Sequence, residues 1–533
     1  MSTVVEPSSQ LVILAGGFGT RLAALTGGLP KALVPVAGKA VLERQVELAS
    51  QYGLKRVLLL LGYGSDEILR WTRDWIGTET DFAWQIEQEP RGTGGALVDA
   101  LPLIDERFVL FFADQLIDFD VARLIQHHEQ ARNDVTVVVH PNDHPHDSDL
   151  LEVGTDGRVT ALHRPPHGAR LLRNTVNAAT YVIERRSLES LVVSAGAKAD
   201  LARDLLPAMI ARGARVGAYR SREYLKDMGT PERLAKVEAD LAAGVVASRR
   251  GDRAMPGILL DRDGTVNVEK GRIARPHDIE LTAGIAAAIK RAHASGFLAA
   301  IVTNQPIIAR GDCTFSQLDE IHGRLEMLLA ESHAYVDGIY VCPHHPDSGF
   351  EGEVPELKGP CRCRKPNIGL VEDAARDLNL DTDRSWLIGD SSTDVACALA
   401  AGLFPVLVST GHAGTDGRHA IDAALRFDSA AQAIDFIVDV FPELWQRCSA
   451  AIERADADAT ITAYADSIAA ANNLARLAAI RAARAGRQVS LRLISAGGDA
   501  SGGHLHDGTP VGTVIKAAVA SDTFENNDVV RAT

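Results

Sequence analysis

Short runs of β-branched and aliphatic residues, each closed by glycine or a polar residue and followed by a helical stretch, recur along most of this chain. LVILAGG (residues 11–17) ends in two glycines, and VLERQVELASQYG (41–53) carries apolar residues at helical spacing and stops on another. VLLLLGYG (57–64), FVLFFAD (108–114) and VTVVVH (135–140) repeat the strand pattern. Apolar strands alternating with helices predict a parallel α/β sheet whose ligands sit at the carboxyl ends of the strands. A second series starts at ILLDRDGT (258–265) and continues through FLAAIVTNQ, GIYVCPHH and SWLIGDSSTD to LFPVLVSTG. The expected fold class is α/β, with two doubly wound Rossmann-like domains and a C-terminal helical or mixed segment.

With 533 residues, the chain has room for about three domains. The first is expected over 1–240 and the second over 257–444. Between them, 241–256 loses periodicity and collects glycine, proline and arginines, which reads as a linker. The segment 445–533 is rich in alanine and arginine at first, with Ile461, Tyr464, Ile468, Leu474, Leu477 and Ile480 at roughly helical spacing. Such a stripe serves packing, or a homo-oligomer contact with a second copy. VSLRLI then alternates like a strand and runs into SAGGDASGG, a weak candidate for a phosphate loop.

A formal net charge of −15 argues against a nucleic-acid or membrane-surface binder, while leaving room for a local phosphate pocket. The N-terminal MSTVVEPSSQ has no basic stretch followed by an apolar core, so no signal peptide is expected. The longest apolar run, 57–61, is far short of a bilayer span. A cytoplasmic enzyme acting on small molecules is the expectation. Six cysteines are too few for a disulfide scaffold of this size, and three of them crowd into one segment with histidines.

The first strand runs into Leu14-Ala15-Gly16-Gly17-Phe18-Gly19-Thr20-Arg21, with Pro30-Lys31 nine residues after Arg21. Glycines let backbone N–H groups approach a triphosphate, while Arg21 and Lys31 neutralise charge as the α-phosphate is attacked. The whole string resembles the sugar-1-phosphate nucleotidyltransferases over about residues 10 to 240. That resemblance implies two magnesium-binding carboxylates, Asp114 at the end of FVLFFAD and Asp227 in Asp-Met-Gly-Thr-Pro. Leu14, Ala15, Gly16, Gly17, Gly19 and Thr20 would bind the nucleotide, and Asn177 in Val-Asn-Ala-Ala would contact the sugar. The loop Glu87-Gln88-Glu89-Pro90-Arg91-Gly92-Thr93-Gly94-Gly95 most resembles the heptose- and mannose-1-phosphate guanylyltransferase branch. A carboxylate such as Glu87 can accept from guanine N1–H and N2–H₂, with Gly92 and Thr93 beside it. Two departures bear on the sugar pocket: Phe112-Ala113-Asp114 stands for Asn-Gly-Asp, and His163-Arg164-Pro165-Pro166 for Glu-Lys-Pro.

Asp261-Arg262-Asp263-Gly264-Thr265 ends the first strand of the second series. Two carboxylates so placed can divide labour, one attacking phosphorus and the other moving the proton, with a divalent cation to relieve their repulsion. Thr303-Asn304-Gln305, Lys365 and Gly389-Asp390-Ser391-Ser392-Thr393-Asp394 follow in order. The ordered set resembles the haloacid-dehalogenase-type phosphatases. On that resemblance Asp261 is the nucleophile and Asp263 the general acid/base. Thr303 and Lys365 hold the phosphoryl group, and Asn304 lies on the substrate side. Asp261, Asp263 (through its carbonyl) and Asp390 hold Mg²⁺, with Asp394 orienting it.

Cys342-Pro343-His344 and Cys361-Arg362-Cys363 supply three thiolates and an imidazole, a tetrahedral donor set for structural Zn²⁺. His345 competes with His344, and the Cys-x-His pattern favours His344. Such a loop before Arg364-Lys365 resembles the heptose-1,7-bisphosphate phosphatases and their histidinol-phosphate relatives, and would hold Arg364 over the substrate. The usual Asn-Gln-Ser-Gly-Ile-Ala-Arg-Gly reads Asn304-Gln305-Pro306-Ile307-Ile308-Ala309-Arg310-Gly311 here.

Together the resemblances imply consecutive steps of nucleotide-activated heptose synthesis. The 7-phosphate of D-glycero-D-manno-heptose 1,7-bisphosphate is removed, and a nucleotidyl group, GMP favoured, is then transferred from a nucleoside triphosphate to heptose 1-phosphate. The alternatives are a mannose-1-phosphate guanylyltransferase fused to a histidinol-phosphate-like phosphatase, and an active phosphatase with a degenerate nucleotide-binding half.

Overall fold

A computed structural model describes residues 9–17, 27–75, 78–191, 197–349, 351–421 and 424–442, and the backbone of four short strands beyond them. The chain divides into two compact units, 1–254 and 255–533. Among the described residues, no helix is long and apolar enough to cross a membrane.

In the first unit β1 (Ser9–Ala15), β4 (Arg56–Leu61), β5 (Asp81–Ile86) and β6 (Arg107–Phe112) form a parallel core in the order β6-β1-β4-β5. Two tiny strands, β2 (Pro35–Val36) and β3 (Lys39–Ala40), precede the helix Val41–Gln51. Val41, Leu42, Val46, Leu48 and Ala49 bury one face of that helix. Beyond β6 the sheet continues through β11 (Val176–Glu184), which pairs with β6, β8 (Val135–His140) and β9 (Leu150–Val153). β10 (Val159–His163) flanks β9, and β12 (Val216–Arg220) flanks β8. The sheet is thus mixed where an all-parallel one was expected, because β11 runs antiparallel to both β6 and β8. The cause is local: β9 and β10 are joined by a tight Thr-Asp-Gly-Arg turn rather than by a crossover helix, which reverses the chain. A separate pair, β7 (Gln115–Asp118) with β13 (Tyr224–Asp227), lies alongside.

The stretch 241–254 is folded onto the first unit. It holds the end of the helix Pro231–Ala242 and a short helix, Val245–Ser248. Buried Arg222 donates to the carbonyls of Arg249, Arg250 and Arg253, while Glu223 accepts from the Gly251 N–H at 2.7 Å. Its arginines and glycine therefore serve as attachment points within the first unit.

The second unit is a six-stranded, all-parallel sheet of β14 (Gly257–Leu260), β15 (Leu298–Asn304), β16 (Gly338–Cys342), β17 (Trp386–Gly389), β18 (Phe404–Val408) and β19 (Leu425–Phe427). The order β16-β15-β14-β17-β18-β19 reverses direction between β14 and β17. That switch opens a crevice beyond the strand ends. Trp386 is fully buried, stacked on Phe404 at a centroid distance of 4.5 Å and met edge-on by Phe441.

In the C-terminal segment β20 (Thr460–Ala465), β21 (Ser490–Ser495), β22 (Ile515–Ala517) and β23 (Val529–Ala532) form a parallel sheet in the order β22-β21-β20-β23. From Ser490 onward VSLRLI lies in β21, as its alternation predicts. Ile461 and Tyr464, assigned to a helical stripe from the sequence, lie instead in β20. Its run Thr-Ile-Thr-Ala-Tyr-Ala is rich in β-branched and aromatic residues, which favour a strand over a helix. Ile468, Leu474, Leu477, Ile480 and SAGGDASGG fall outside the described residues.

Trp386→Ala removes the largest side chain of the second core. It should destabilise that unit by about 3–5 kcal/mol, read from its denaturant midpoint. An unchanged midpoint would contradict this packing.

Candidate active sites

At the carboxyl ends of β1, β4 and β6 the first unit encloses a cavity of about 320 Å³. Leu14, Ala15, Gly16 and Gly17 line it from β1, and Lys31, Glu87, Gly92, Thr93 and Asp114 from the other walls. The strand ends approach so closely that a methyl group on Gly62 would lie 2.8 Å from the Gly16 carbonyl oxygen. One on Gly16 would lie 3.2 Å from Glu87 Oε2. Burial pushes the Glu87 carboxyl up from its ordinary value, and the Arg91 N–H donates to it at 3.3 Å.

Lys31 Nζ stands 3.0 Å from Asp114 Oδ2. Pairing of β7 with β13 sets Gln115 opposite Asp227, and the Met228 N–H donates to the Asp114 carbonyl at 2.9 Å. The two aspartates are therefore brought to one place from positions far apart in sequence. Asp227 accepts from the Gly229 N–H at 2.7 Å and from Arg233.

Several of these residues also have partners within the fold. The Thr93 hydroxyl donates to Asp200 at 3.0 Å and accepts from the Leu201 N–H at 2.8 Å, tying down the start of the helix Gly92–Asp99. Asn177 Nδ2 donates to the Tyr181 hydroxyl at 2.8 Å, and its Oδ1 accepts from the Ala179 N–H at 2.9 Å, within β11. Arg164 faces Asp149 at 3.7 Å. Gly19, Thr20 and Arg21 lie outside the described residues.

In the second unit Asp261 follows β14 and Asp390 follows β17, the two strands that flank the switch. One carboxylate oxygen from each of Asp261, Asp390 and Asp394 lies within 4.8 Å of the others. Lys365 Nζ, almost wholly buried, is 2.9 Å from Asp261 Oδ1 and 2.5 Å from Asp394 Oδ1, and donates to the Val302 carbonyl at 2.8 Å. Asn304 fixes that lysine's backbone: its Oδ1 accepts from the Lys365 N–H at 3.0 Å and its Nδ2 donates to the Lys365 carbonyl at 3.1 Å.

Burial, with Asp261 beside it, raises the Asp390 carboxyl to about 8. Burial raises that of Asp261 to about 6 despite Lys365. One ammonium thus leaves the three acids short of positive charge, and the all-oxygen donor set fits a hard divalent cation. Gly264, at a φ of 77°, makes room: a methyl group there would lie 2.4 Å from Asp390 Oδ2.

Asp263 points elsewhere. Its carboxylate accepts from Arg262 at 3.0 and 2.9 Å, from Asn267 at 3.0 Å and from Gln305 at 2.7 Å. Burial works against its charge, yet Arg262 with Asn267 and Gln305 holds the carboxyl below its ordinary value. Gln305 Nε2 also donates to the buried Thr303 hydroxyl at 2.9 Å.

Cys342, His344, Cys361 and Cys363 converge next to this centre in sequence and form a compact cluster. Cys342 Sγ lies 3.7 Å from both Cys361 Sγ and His344 Nδ1, and Cys363 Sγ is 3.1 Å from Cys342, 3.3 Å from His344 and 3.5 Å from Cys361. Donors bound tetrahedrally at about 2.0–2.3 Å stand roughly 3.3–3.8 Å apart; all these separations but the shorter Cys342–Cys363 fall there, and three thiols with an imidazole are a donor set that suits Zn²⁺. His345 lies outside the cluster, with Nε2 2.9 Å from Arg310 and Nδ1 accepting from the Asp347 N–H at 3.0 Å. Arg364 donates to the His344 carbonyl at 3.1 Å, so the cluster holds the arginine beside Lys365.

Two residues missed in the sequence matter here. Arg262 is fully buried and organises Asp263, Gln305 and His322; the middle position of Asp-x-Asp gave no hint that its side chain turns inward. Buried Gln45 donates to the carbonyls of Phe112 at 2.9 Å and Gln115 at 2.8 Å, bracing the turn that carries Asp114. Its signal was legible: an amide in the middle of the apolar face of a helix.

A Nucleotidyl transferase family model matches residues 10–244, and a HAD-hydrolase-like model matches 362–444. The chain is an enzyme that joins a nucleotidyltransferase to a phosphatase of the haloacid-dehalogenase type. The D-glycero-β-D-manno-heptose-1,7-bisphosphate 7-phosphatase of Yersinia pestis is 39% identical over 175 residues, 32% of this chain and 91% of that protein. The chain belongs to that phosphatase family. Among solved structures, HddC of Yersinia pseudotuberculosis is 26% identical over 44% of this chain and 99% of its own, with a TM-score of 0.38. The D,D-heptose 1,7-bisphosphate phosphatase of B. bronchiseptica is 31% identical over 34% of this chain and 97% of its own, with a TM-score of 0.30.

The raised carboxyls of Asp261 and Asp390 favour the protonated form in the folded state. In chelator, the second unit should therefore lose stability as pH rises from the ordinary carboxylate range through about 8. Saturating Mg²⁺ should remove that loss, as read by thermal unfolding. A profile unaltered by Mg²⁺ would contradict a cation at these carboxylates.

Proposed function

We propose that the second unit hydrolyses the 7-phosphate of a D-glycero-D-manno-heptose 1,7-bisphosphate, and that the first unit transfers a guanylyl group from GTP to the resulting heptose 1-phosphate. The observation that carries this reading is the convergence of Lys365 on Asp261 and Asp394 beside Asp390, in a chain whose phosphatase relatives carry that substrate in their names.

Asp261 is the nucleophile. Its free carboxylate oxygen attacks phosphorus, the bond from phosphorus to the sugar oxygen breaks, and Asp263, which takes up a proton from solvent before the step, delivers it to that oxygen. Asp263 then takes a proton from water, whose oxygen attacks the aspartyl-phosphate and frees Asp261 and inorganic phosphate. Lys365 and Thr303 hold the transferring group's oxygens, and Arg262 with Gln305 aims Asp263. Asp261, Asp390 and the backbone carbonyl of Asp263 would hold Mg²⁺ with Asp394 nearby, and the ion would supply charge neutralisation. Cys342, His344, Cys361 and Cys363 would hold a closed structural Zn²⁺, keeping Arg364 over the substrate.

In the first unit Gly16 and Gly17 admit the phosphates, while Arg21 and Lys31 neutralise charge as the sugar phosphate oxygen attacks the α-phosphorus and pyrophosphate leaves. Asp114 and Asp227 would hold the accompanying Mg²⁺. Glu87 on the cavity wall accepts from guanine N1–H and N2–H₂, a donor pair that adenine lacks.

Asp261→Asn should lower phosphate release from the bisphosphate by more than about a thousandfold, while pyrophosphate release from heptose 1-phosphate and GTP continues. Lys31→Ala should do the reverse, lowering pyrophosphate release by about 10²–10³-fold. Undiminished phosphate release in Asp261→Asn would overturn the nucleophile, and turnover with ATP or CTP in preference to GTP would overturn the guanylyl assignment.

A further inference from the structure

Residues 409–421, between β18 and β19, wrap the acidic centre without forming a helix or strand. The Thr410 hydroxyl donates to the Gly264 carbonyl at 2.5 Å. The His412 N–H donates to Asp390 Oδ2 at 2.6 Å, and the Gly414 N–H to the Asp390 carbonyl at 2.7 Å. No regular structure fixes these backbone donors. Asp416 does so: its Oδ1 accepts from the Ser392 N–H at 2.8 Å and its Oδ2 from the Ser392 hydroxyl at 2.7 Å. The same hydroxyl oxygen accepts from the His419 N–H at 3.1 Å, so the loop is held on both sides of Asp416. Ser392 is fully buried two residues beyond Asp390, and its N–H is one of the unpaired donors at the start of the helix Ser392–Ala400.

We infer that Asp416, acting through Ser392, is a positioning residue that locks the loop so that the His412 N–H occupies Oδ2 of Asp390 and leaves Oδ1 for a divalent cation. The inference rests on the proposed reading of Asp261 and Asp390 as carboxylate ligands of that cation. A carboxylate ligand whose second oxygen is held cannot rotate away from the ion, and loss of such an outer partner weakens metal binding about 10–100-fold. Asp416 also caps a helix, and the two roles separate at Ser392. Ser392→Ala keeps the backbone N–H that Asp416 caps but removes the hydroxyl that ties Asp416 and His419 to the strand end.

The test is calorimetric titration of Mg²⁺ into the full-length chain carrying Asp114→Asn and Asp227→Asn to silence the first site, with the melting temperature measured in chelator. Asp416→Ala should weaken Mg²⁺ about tenfold or more and Ser392→Ala severalfold, while Asp416→Asn, whose amide oxygen still accepts, stays within about threefold of the parent. The Ser392→Ala melting temperature should stay near the parent's. Parent-like Mg²⁺ affinity in Ser392→Ala, with only the Asp416→Ala melting temperature lowered, would reduce Asp416 to a helix cap and overturn the inference. A parent whose Mg²⁺ binding is absent, or is unchanged by Asp390→Asn, would overturn the reading of the acidic centre and the latch with it.

Discussion

Lys365 Nζ lies between Asp261 and Asp394 with the Val302 carbonyl as its third partner, almost entirely out of water. Everything around it in the second unit is arranged to make that placement tolerable. Burying a charge costs several kcal/mol unless it is paired and hydrogen-bonded, and removing one member of a buried pair costs about 3–5 kcal/mol. Here the ammonium has two carboxylates and a carbonyl, its backbone is held on both sides by Asn304, and the neighbouring Arg364 is anchored on the Cys/His cluster. The lysine is thus preorganised where negative charge gathers on a transferring phosphoryl group, with no reorganisation needed at the moment of reaction.

The same physics recurs in weaker form in the first unit. Lys31 and Asp114 meet at the carboxyl ends of parallel strands, but both remain partly exposed. Buried amides do the supporting work there: Gln45 braces the turn before β7, and β13 carries Asp227 to its neighbour. In both units the charged groups stand where strand order changes direction, because only there do adjacent loops diverge and leave a crevice. The second unit adds an inward-turned arginine. Arg262 holds the Asp263 carboxyl low, while burial keeps that of Asp261 high. Without a cation these environments favour a protonated Asp261 and an ionised Asp263, so a divalent ion at Asp261 and Asp390 would be needed to supply the charge that ionises the nucleophile.

Most of the strand framework was legible because a strand buried on both faces writes a continuous apolar run, as in 57–61 and 298–302. Pairing direction was not: β11 looks like any other run, and only the turn between β9 and β10 reverses it. The short edge strand β19 left too little pattern to read. Which site residues meet was legible where chemistry is dense, as in the Cys/His cluster and Asp261 with Asp390. It was hidden where a residue works on the backbone, as Asn304 does, or turns inward against its expected exposure, as Arg262 does. Thr93 lines the cavity as its motif position suggests, and it and Asn177 also hold the local fold through Asp200, Leu201 and Tyr181, which the motif does not show. In the tail, alanine-rich flanks suggested a helix, and the local run of β-branched residues at 460–465 decided for a strand.

The central claim is that Asp261 is made nucleophilic within a buried, lysine-anchored acidic centre, while Asp263 handles the proton. Rapid quenching of the full-length chain with bisphosphate labelled in its 7-phosphate, followed by peptide mapping, tests it most directly. The account predicts acid-stable label on Asp261 during turnover by the parent, absent from Asp261→Asn. Phosphate release without label on Asp261, or label on another residue, would contradict it.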